Sequence, residues 1–124
     1  MPIKHYDWSA YHANVRPHKV AIKDLSAKKE LTYLDLDRRA NRLAAWLQGQ
    51  GVAKGDRVAI LSQNCPEFFE LEFACAKIGA VELPLNWRLT KPELEYILCD
   101  SEPSVLIYDE TFSDVSTALL IDCG

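Results

Sequence analysis

The sequence predicts an α/β domain with a largely parallel sheet flanked by helices. Short apolar runs of strand length alternate along the chain with amphipathic helical patterns. Turn and cap residues mark most of the boundaries between them. Strands that are separated by helices pair in parallel through right-handed crossovers. With 124 residues, the chain can bury a core without disulfides or metals, and we expect residues 1–124 to form no second domain.

Several apolar runs have the length and composition of buried strands. The stronger candidates are Val20–Leu25, Val58–Leu61, Ala80–Leu83 and Val105–Tyr108. Pro84 is expected to end the third of these, because proline cannot donate a hydrogen bond to a strand ladder. The pattern weakens beyond Asp109, where Ala118–Ile121 is a further strand candidate.

Helical periodicity is clearest over Tyr33–Gln48, where apolar residues recur at i, i+3, i+4 and i+7. Thr32 and Asp35 resemble a capping box at its start. A second helix is predicted over Pro66–Ile78, with Asn64 as a candidate N-cap. A third helix follows a cap at Thr90, and its predicted inner stripe is Leu94, Ile97 and Leu98.

The composition excludes some classes of protein. The chain carries 14 basic and 18 acidic residues, a net charge of −4, which argues against general nucleic-acid binding. No apolar run approaches the length of a membrane span, and residues 1–7 lack the features of a signal peptide. We therefore expect a cytoplasmic protein with no membrane span.

Motifs that would identify a catalytic or metal site are missing from the sequence. There is no glycine-rich phosphate loop and no nucleophile elbow. The four cysteines lack zinc-like spacing, and we expect reduced, mostly buried thiols: Cys65, Cys75, Cys99 and Cys123. The histidines are expected to be surface or satisfied core residues: His5, His12 and His18. The residues alone therefore predict no catalytic residue and no metal ligand.

Three segments together resemble the adenylate-forming family, which includes acyl-CoA synthetases, luciferase-type enzymes and peptide-synthetase adenylation domains. Residues 31–44 are similar to the family's L-T-Y-x-E-L … A-N-R-L-A motif, with Asp35 in place of Glu. Residues 51–60 match G-V-x-K-G-D-R-V-A-I, and residues 76–86 resemble K-x-G-A-x-x-x-P-L-N. The order and spacing are the family's, and the ending Asn86-Trp87-Arg88-Leu89 looks more like acyl- and aryl-CoA synthetases than peptide-synthetase domains.

The resemblance implies an N-terminal, incomplete portion of the large AMP-binding domain of an AMP-forming acyl-CoA synthetase. The parent enzyme would convert a carboxylic acid, ATP and CoA into acyl-CoA, AMP and pyrophosphate, with Mg²⁺ as cofactor. The family's phosphate loop, adenylate-binding segment, hinge and catalytic lysine lie downstream and have no counterpart here. We therefore expect this chain alone to be inactive and to bind ATP and CoA negligibly, and the carboxylic acid is not identified.

One cofactor-binding residue follows from the resemblance. In some CoA ligases similar to this chain, an arginine matching Arg88 helps to hold the phosphates of CoA, a task that suits a guanidinium. The alternative is a surface arginine paired with a carboxylate such as Glu93. Asn86 and Trp87 are predicted to shape the same region. For most other motif residues we predict scaffold roles in caps, turns and strand ends.

Other functions stay open at this point. The chain is alternatively a stand-alone α/β binding or interaction module without catalysis, or part of a luciferase-like or carrier-protein adenylating enzyme. An open sheet has unpaired edges, so a homodimer through an exposed sheet edge is also expected.

Overall fold

The computed structural model of the chain describes residues 7–123. Its elements follow one another as α1 Trp8–Val15, β1 Val20–Asp24, β2 Lys29–Thr32, α2 Tyr33–Gly49, β3 Arg57–Leu61, α3 Pro66–Ile78, β4 Val81–Leu85, α4 Lys91–Ser101, β5 Val105–Tyr108, a 3₁₀ helix Glu110–Phe112 and α5 Ser113–Cys123.

A three-stranded parallel sheet in the order β4-β3-β5 forms the centre of the fold. The central strand β3 is buried on both faces, which explains why it reads as a continuous apolar run rather than an alternating one. Val58 and Ile60 face a core cluster with α2 and α3, whereas Ala59 and Leu61 face a second cluster with α4 and α5. The predicted α/β class with a parallel sheet is confirmed.

The first predicted strand does not join this sheet. It forms β1, which pairs antiparallel with β2 in a separate hairpin. The turn between them includes Lys28 at φ 53°, a left-handed conformation suited to a tight reversal. Sequence periodicity missed β2 because Lys29 and Glu30 are exposed and carry no apolar alternation.

The sequence predicted the N-terminal cap correctly for α2 and wrongly for α3. At α2 the capping box is present: Thr32 Oγ1 accepts from the Asp35 N–H at 3.1 Å, and Asp35 Oδ2 accepts from the Thr32 N–H at 3.0 Å. At α3 the N-cap is Cys65 rather than Asn64, and its side chain makes no cap hydrogen bond. Pro66 is the first helical residue, and a residue before proline is held in the extended conformation that an N-cap adopts.

Pro84 lies inside β4 and does not end it. The N–H of Val81 bonds to Asp56 O on the β3 side at 2.8 Å, so alternation along β4 turns the Pro84 nitrogen to the outer edge. Proline is tolerated there because no ladder hydrogen bond is lost. The tail prediction was also wrong: Ala118–Ile121 belongs to α5, whose Ser116 and Leu119, three residues apart, are fully buried.

The cysteines differ from the expectation of four reduced thiols. Cys75 is buried and Cys65 is half-buried, and both are free. Cys99 and Cys123 form a disulfide that joins α4 to α5, with their Cα atoms 5.5 Å apart. The sequence could not predict this pair, because the proximity depends on the packing of two helices that are separated along the chain.

The helix α1 was also missed at the sequence level. Asp7 is its N-cap and accepts a hydrogen bond from the Ala10 N–H at 3.4 Å. Its buried residues, Ser9 and Ala13, lie on the side that packs against α2. None of the helices within residues 7–123 has the length and apolar character to cross a membrane.

Candidate functional site

The carboxyl ends of the parallel strands lie at one edge of the sheet. Ser62 follows β3, Asn86 follows β4 and Asp109 follows β5. Ligands of open α/β sheets bind outside this edge, because the loops that leave the strands there are free to carry polar side chains. The loops after β3, β4 and β5 are therefore the places to look for a site.

The loop after β4 is a tight turn over residues 86–89. The Leu89 N–H donates to Asn86 O at 3.0 Å, and the Arg88 N–H donates to the Asn86 side-chain Oδ1 at 3.0 Å. Asparagine favours such turns because its side chain can replace a backbone acceptor. The predicted contribution of Asn86 to this region thus has a concrete form: it fixes the main chain that carries Arg88.

Arg88 stacks on its neighbour. The guanidinium carbon lies 4.7 Å from the centre of the Trp87 ring, a cation–π geometry. Trp87 is itself half-buried, packs against the second core cluster, and contacts the ring of Phe112 with 6.3 Å between centroids. The side chain of Arg88 remains exposed.

The alternative partner for Arg88 is engaged elsewhere. Glu93 Oε1 accepts a hydrogen bond from Thr90 Oγ1 at 2.9 Å. Among residues 7–123, no carboxylate lies within ion-pair distance of Arg88. The donors of its guanidinium are therefore available to a planar or tetrahedral anion.

A small cleft opens where β3 and β5 end. It has a volume of about 240 Å³, and its polar lining includes Ser62, Cys65, Glu67 and Asp109. Ser62 Oγ donates to Gln63 O at 2.9 Å and lies 3.6 Å from Cys65 Sγ. Burial raises the pKa of the Cys65 thiol, so this sulfur stays protonated at neutral pH and is a poor nucleophile.

In the loop after β5, the side chain of Asp109 hydrogen-bonds to the main chain of the 3₁₀ helix. Asp109 Oδ1 accepts from the Thr111 N–H at 2.9 Å and caps the 3₁₀ helix. This hydrogen bond holds the pKa of Asp109 below its usual value. Ser62 Oγ shares a hydrogen bond with the Cys65 thiol, and the Asp109 carboxylate is used by the backbone of the 3₁₀ helix. In the same cleft, the Cys65 thiol also interacts with Glu67, whose charge adds to the rise in the thiol pKa caused by burial.

Residues 7–123 contain no candidate metal site, and the described histidines form no candidate site either. No group of three or more His, Cys, Asp or Glu side chains there could hold a metal ion. The half-buried His12 ring packs 5.0 Å from the Tyr33 ring, and its buried Nδ1 has no hydrogen-bond partner among the described residues, so His12 is neither the surface nor the satisfied core histidine that we expected. His18 is exposed, and His5 lies outside the described residues.

These features define a class of protein. A parallel α/β sheet with polar loops at its carboxyl edge is the architecture of nucleotide- and cofactor-binding domains. Within residues 7–123 it carries an arginine that stacks on Trp87 and has no ion-pair partner. Comparison with known proteins then gives the family: the chain belongs to the AMP-binding enzymes, whose family model matches residues 9–122.

Named relatives agree with this assignment. Feruloyl-CoA synthase from Amycolatopsis sp is 44% identical over 112 residues, which cover 90% of this chain and 22% of that protein. The fatty acid–acyl-carrier-protein ligase ScoC from Streptomyces coeruleorubidus is 41% identical over 107 residues, covering 86% of this chain and 20% of that protein. The chain thus spans about a fifth of the length of these curated relatives.

A solved structure gives the same result for the fold. The inhibitor-bound N-terminal domain of FACL13 from Mycobacterium tuberculosis superposes with a TM-score of 0.87 at 40% identity, covering 94% of this chain and 29% of that one. The sequence-level resemblance to an N-terminal portion of an acyl-CoA synthetase is confirmed.

Proposed function

We propose that this chain is part of an ATP-dependent acid–CoA ligase, which joins a carboxylic acid to CoA and releases AMP and pyrophosphate. The observation that carries the proposal is the family match over residues 9–122, together with relatives named as ligases of acyl groups. In this assignment the parallel sheet is scaffold, and the reaction takes place in the cytoplasm. The carboxylic acid substrate is left unspecified.

The direct contribution of this segment is an electrostatic contact from Arg88 to the phosphates of CoA. Its guanidinium is exposed, stacked and without a carboxylate partner among residues 7–123. Bidentate, charge-assisted hydrogen bonds from such a group match the geometry of phosphate oxygens. The fit is to phosphate chemistry and does not depend on the acyl group.

ATP and Mg²⁺ require other parts of the ligase. Residues 7–123 offer no carboxylate cluster for a metal and no glycine-rich loop for a triphosphate. When bound, Mg²⁺ would neutralise negative charge on the phosphates. We therefore propose that the 124-residue chain alone forms no acyl-CoA and binds ATP and CoA negligibly. Formation of acyl-CoA by the purified chain, followed by mass spectrometry, would contradict this.

The role of Arg88 is tested in the full ligase that carries this segment, where the two half-reactions can be measured separately. Acid-dependent exchange of pyrophosphate into ATP reports adenylation, and acyl-CoA formation reports the thiol step. Arg88→Ala should raise the KM for CoA by about tenfold, the loss of one charged hydrogen bond, and leave exchange unchanged. Arg42→Ala is the matched control, because Arg42 is also exposed but lies on α2.

Each outcome bears on the proposal. A higher KM for CoA in the Arg88 variant alone supports the phosphate contact. Equal KM values for the Arg88 and Arg42 variants would contradict it. Absence of acid-dependent exchange in the wild-type ligase would contradict the ligase assignment as a whole.

A second acceptor is favoured by one comparison. The relative ScoC is named as a ligase of acyl-carrier protein rather than of CoA. A carrier-protein ligase would share the adenylation step and transfer the acyl group to a protein-bound phosphopantetheine. Acyl transfer to a carrier protein in preference to CoA, in the same assay, would establish this alternative.

A further inference from the structure

Phe112 lies far from Arg88 in sequence but belongs to the same stack of side chains. The Phe112 ring contacts the Trp87 ring with 6.3 Å between centroids at an interplanar angle of 46°. The guanidinium of Arg88 lies over the Trp87 ring at 4.7 Å. Three side chains thus form a continuous series from the 3₁₀ helix after β5 to the turn after β4.

Little else restrains the guanidinium. The hydrogen bond to Asn86 involves the backbone N–H of Arg88 and fixes only the main chain. Within the described part of the chain, the side chain of Arg88 makes no ion pair and no hydrogen bond. An exposed arginine otherwise samples many rotamers, so its orientation depends on the face of the Trp87 ring.

Phe112, at the opposite end of this stack from Arg88, is held by contacts of its main chain and of its ring. Its N–H donates to Asp109 O at 2.8 Å, and the Asp109 side chain caps the same short helix through the Thr111 N–H. The Phe112 ring also packs against the second core cluster. The end of β5 therefore fixes Phe112, which in turn supports one side of the Trp87 ring.

We propose that Phe112 is a positioning residue, which holds the Trp87 ring in the orientation on which Arg88 stacks and so presents the guanidinium outward. The part of this inference that concerns a phosphate ligand rests on the proposed function. The part that concerns the orientation of Arg88 does not, and it can be tested without any ligand.

The direct test is the NMR chemical shift of the Arg88 side-chain Nε–H in the 124-residue chain. A proton near the face of Trp87 experiences its ring current, and Trp87→Leu gives the reference value without that ring. Phe112→Leu keeps an apolar side chain but should move the Arg88 signal most of the way to this reference. Phe112→Tyr retains the aromatic ring and should leave the signal at its wild-type position.

Controls separate positioning from general damage. Phe69→Leu removes an aromatic ring that is 49% exposed on α3, and should leave the Arg88 signal unchanged. If Phe112→Leu perturbs backbone amides across the sheet, Phe112→Met provides another apolar replacement, which is unbranched and flexible, for the same comparison. An unchanged Arg88 signal in the folded Leu or Met variant would overturn the proposal.

A second readout links the inference to the ligase. In the full enzyme, Phe112→Leu should raise the KM for CoA by about threefold to tenfold, the cost of restraining a side chain that is no longer preorganised. Adenylation should be unchanged, and Phe112→Tyr should restore the wild-type KM. If Arg88→Ala has no effect on this KM, the proposed contact of Arg88 with the phosphates of CoA fails, whereas the NMR comparison still decides whether Phe112 positions Arg88.

Discussion

The ammonium group of Lys77 lies 2.8 Å from Asp37 Oδ1, and this contact ties α3 to α2 inside the fold. The same ammonium lies 2.7 Å from Asp7 Oδ1 at the start of α1, and Ser9 Oγ donates to Asp37 Oδ1 at 2.8 Å. Burial lowers the pKa of Lys77, but the hydrogen bonds to Asp37 and Asp7 outweigh it and raise the pKa overall. Three helices therefore meet at one shared charge.

Replacing this charge should destabilise the fold strongly. Lys77→Met keeps the apolar stem but leaves two largely buried carboxylates without their counter-ion. Breaking a buried ion pair from one side costs about 3–5 kcal/mol. We expect a loss of that size in the free energy of unfolding, measured by urea denaturation.

Lys91 provides the matched control for this charge. Its ammonium pairs with Asp122 and Glu95, but all three side chains are well exposed. Lys91→Met should therefore change the unfolding midpoint very little. Equal destabilisation by the two substitutions would show that the ion pairs of Lys77 contribute no more to stability than the exposed ion pairs of Lys91.

The glycine at the end of α3 has a conformational role that can be measured. Gly79 has φ +74°, and a Cβ at this position would lie 3.0 Å from Lys54 Cγ. Gly79→Ala should cost about 1–2 kcal/mol, because an L-residue resists the left-handed region. Gly49→Ala is the control: among residues 7–123, no atom outside its chain neighbours and its own helical backbone lies within 4 Å of the added Cβ, and alanine favours the helix. A stability loss at both positions would contradict this interpretation.

Elements with local signals could be predicted from sequence. The capping box at Thr32 and Asp35 and the glycine stop at Gly79 depend on residues within one helical turn of each other. The buried strand β3 has only apolar residues from Val58 onward because both its faces are covered. Such signals need no knowledge of distant packing.

Elements fixed by distant partners could not be predicted. An apolar run such as Ala118–Ile121 fits a strand or a buried helix equally well, and packing against α4 decides for the helix. The disulfide between Cys99 and Cys123 depends on that same packing. At the candidate site, Arg88 was named only through the family resemblance, and its contact with Trp87, supported by Phe112, emerged only in three dimensions.

A half-buried carboxyl on β4 should make stability depend on pH. Burial raises the pKa of Glu82 to about 7, and the nearby charge of Glu72 adds to the effect. Between the unfolded pKa and this folded value, the native state binds more protons than the unfolded state. Stability therefore falls as pH rises from about 4.5 to about 7.

Removing this ionisation should stabilise the protein at alkaline pH. Glu82→Gln should raise the free energy of unfolding at pH 8 by about 1–2 kcal/mol, after allowance for the solvent that screens a half-buried group. The difference should disappear near pH 4, where the wild-type carboxyl is protonated in both states. Glu72→Gln should lower the Glu82 pKa, as followed by NMR titration. A wild-type Glu82 that titrates near its ordinary value would contradict the prediction.

The two outer strands of the sheet differ in how well their edges are protected. On β4, alternation turns the nitrogens of Glu82 and Pro84 to the outer edge, and of these only Glu82 can donate a hydrogen bond to another strand. On β5, the sequence Val105-Leu106-Ile107-Tyr108 carries no proline and no charge, and β3 is its only partner strand within residues 7–123. The homodimer expected from the sequence should therefore form through β5 rather than β4.

A charge placed on each edge tests this directly. Tyr108 on β5 is 39% exposed and Val81 on β4 is 50% exposed, so a lysine fits at either position without entering the core. We expect the 124-residue chain to show a concentration-dependent dimer in analytical ultracentrifugation. Tyr108→Lys should shift it to monomer, because lysine on an edge strand opposes pairing, whereas Val81→Lys should leave the dimer intact. A wild-type chain that stays monomeric at millimolar concentration, or dimers lost only with Val81→Lys, would rule out pairing through β5.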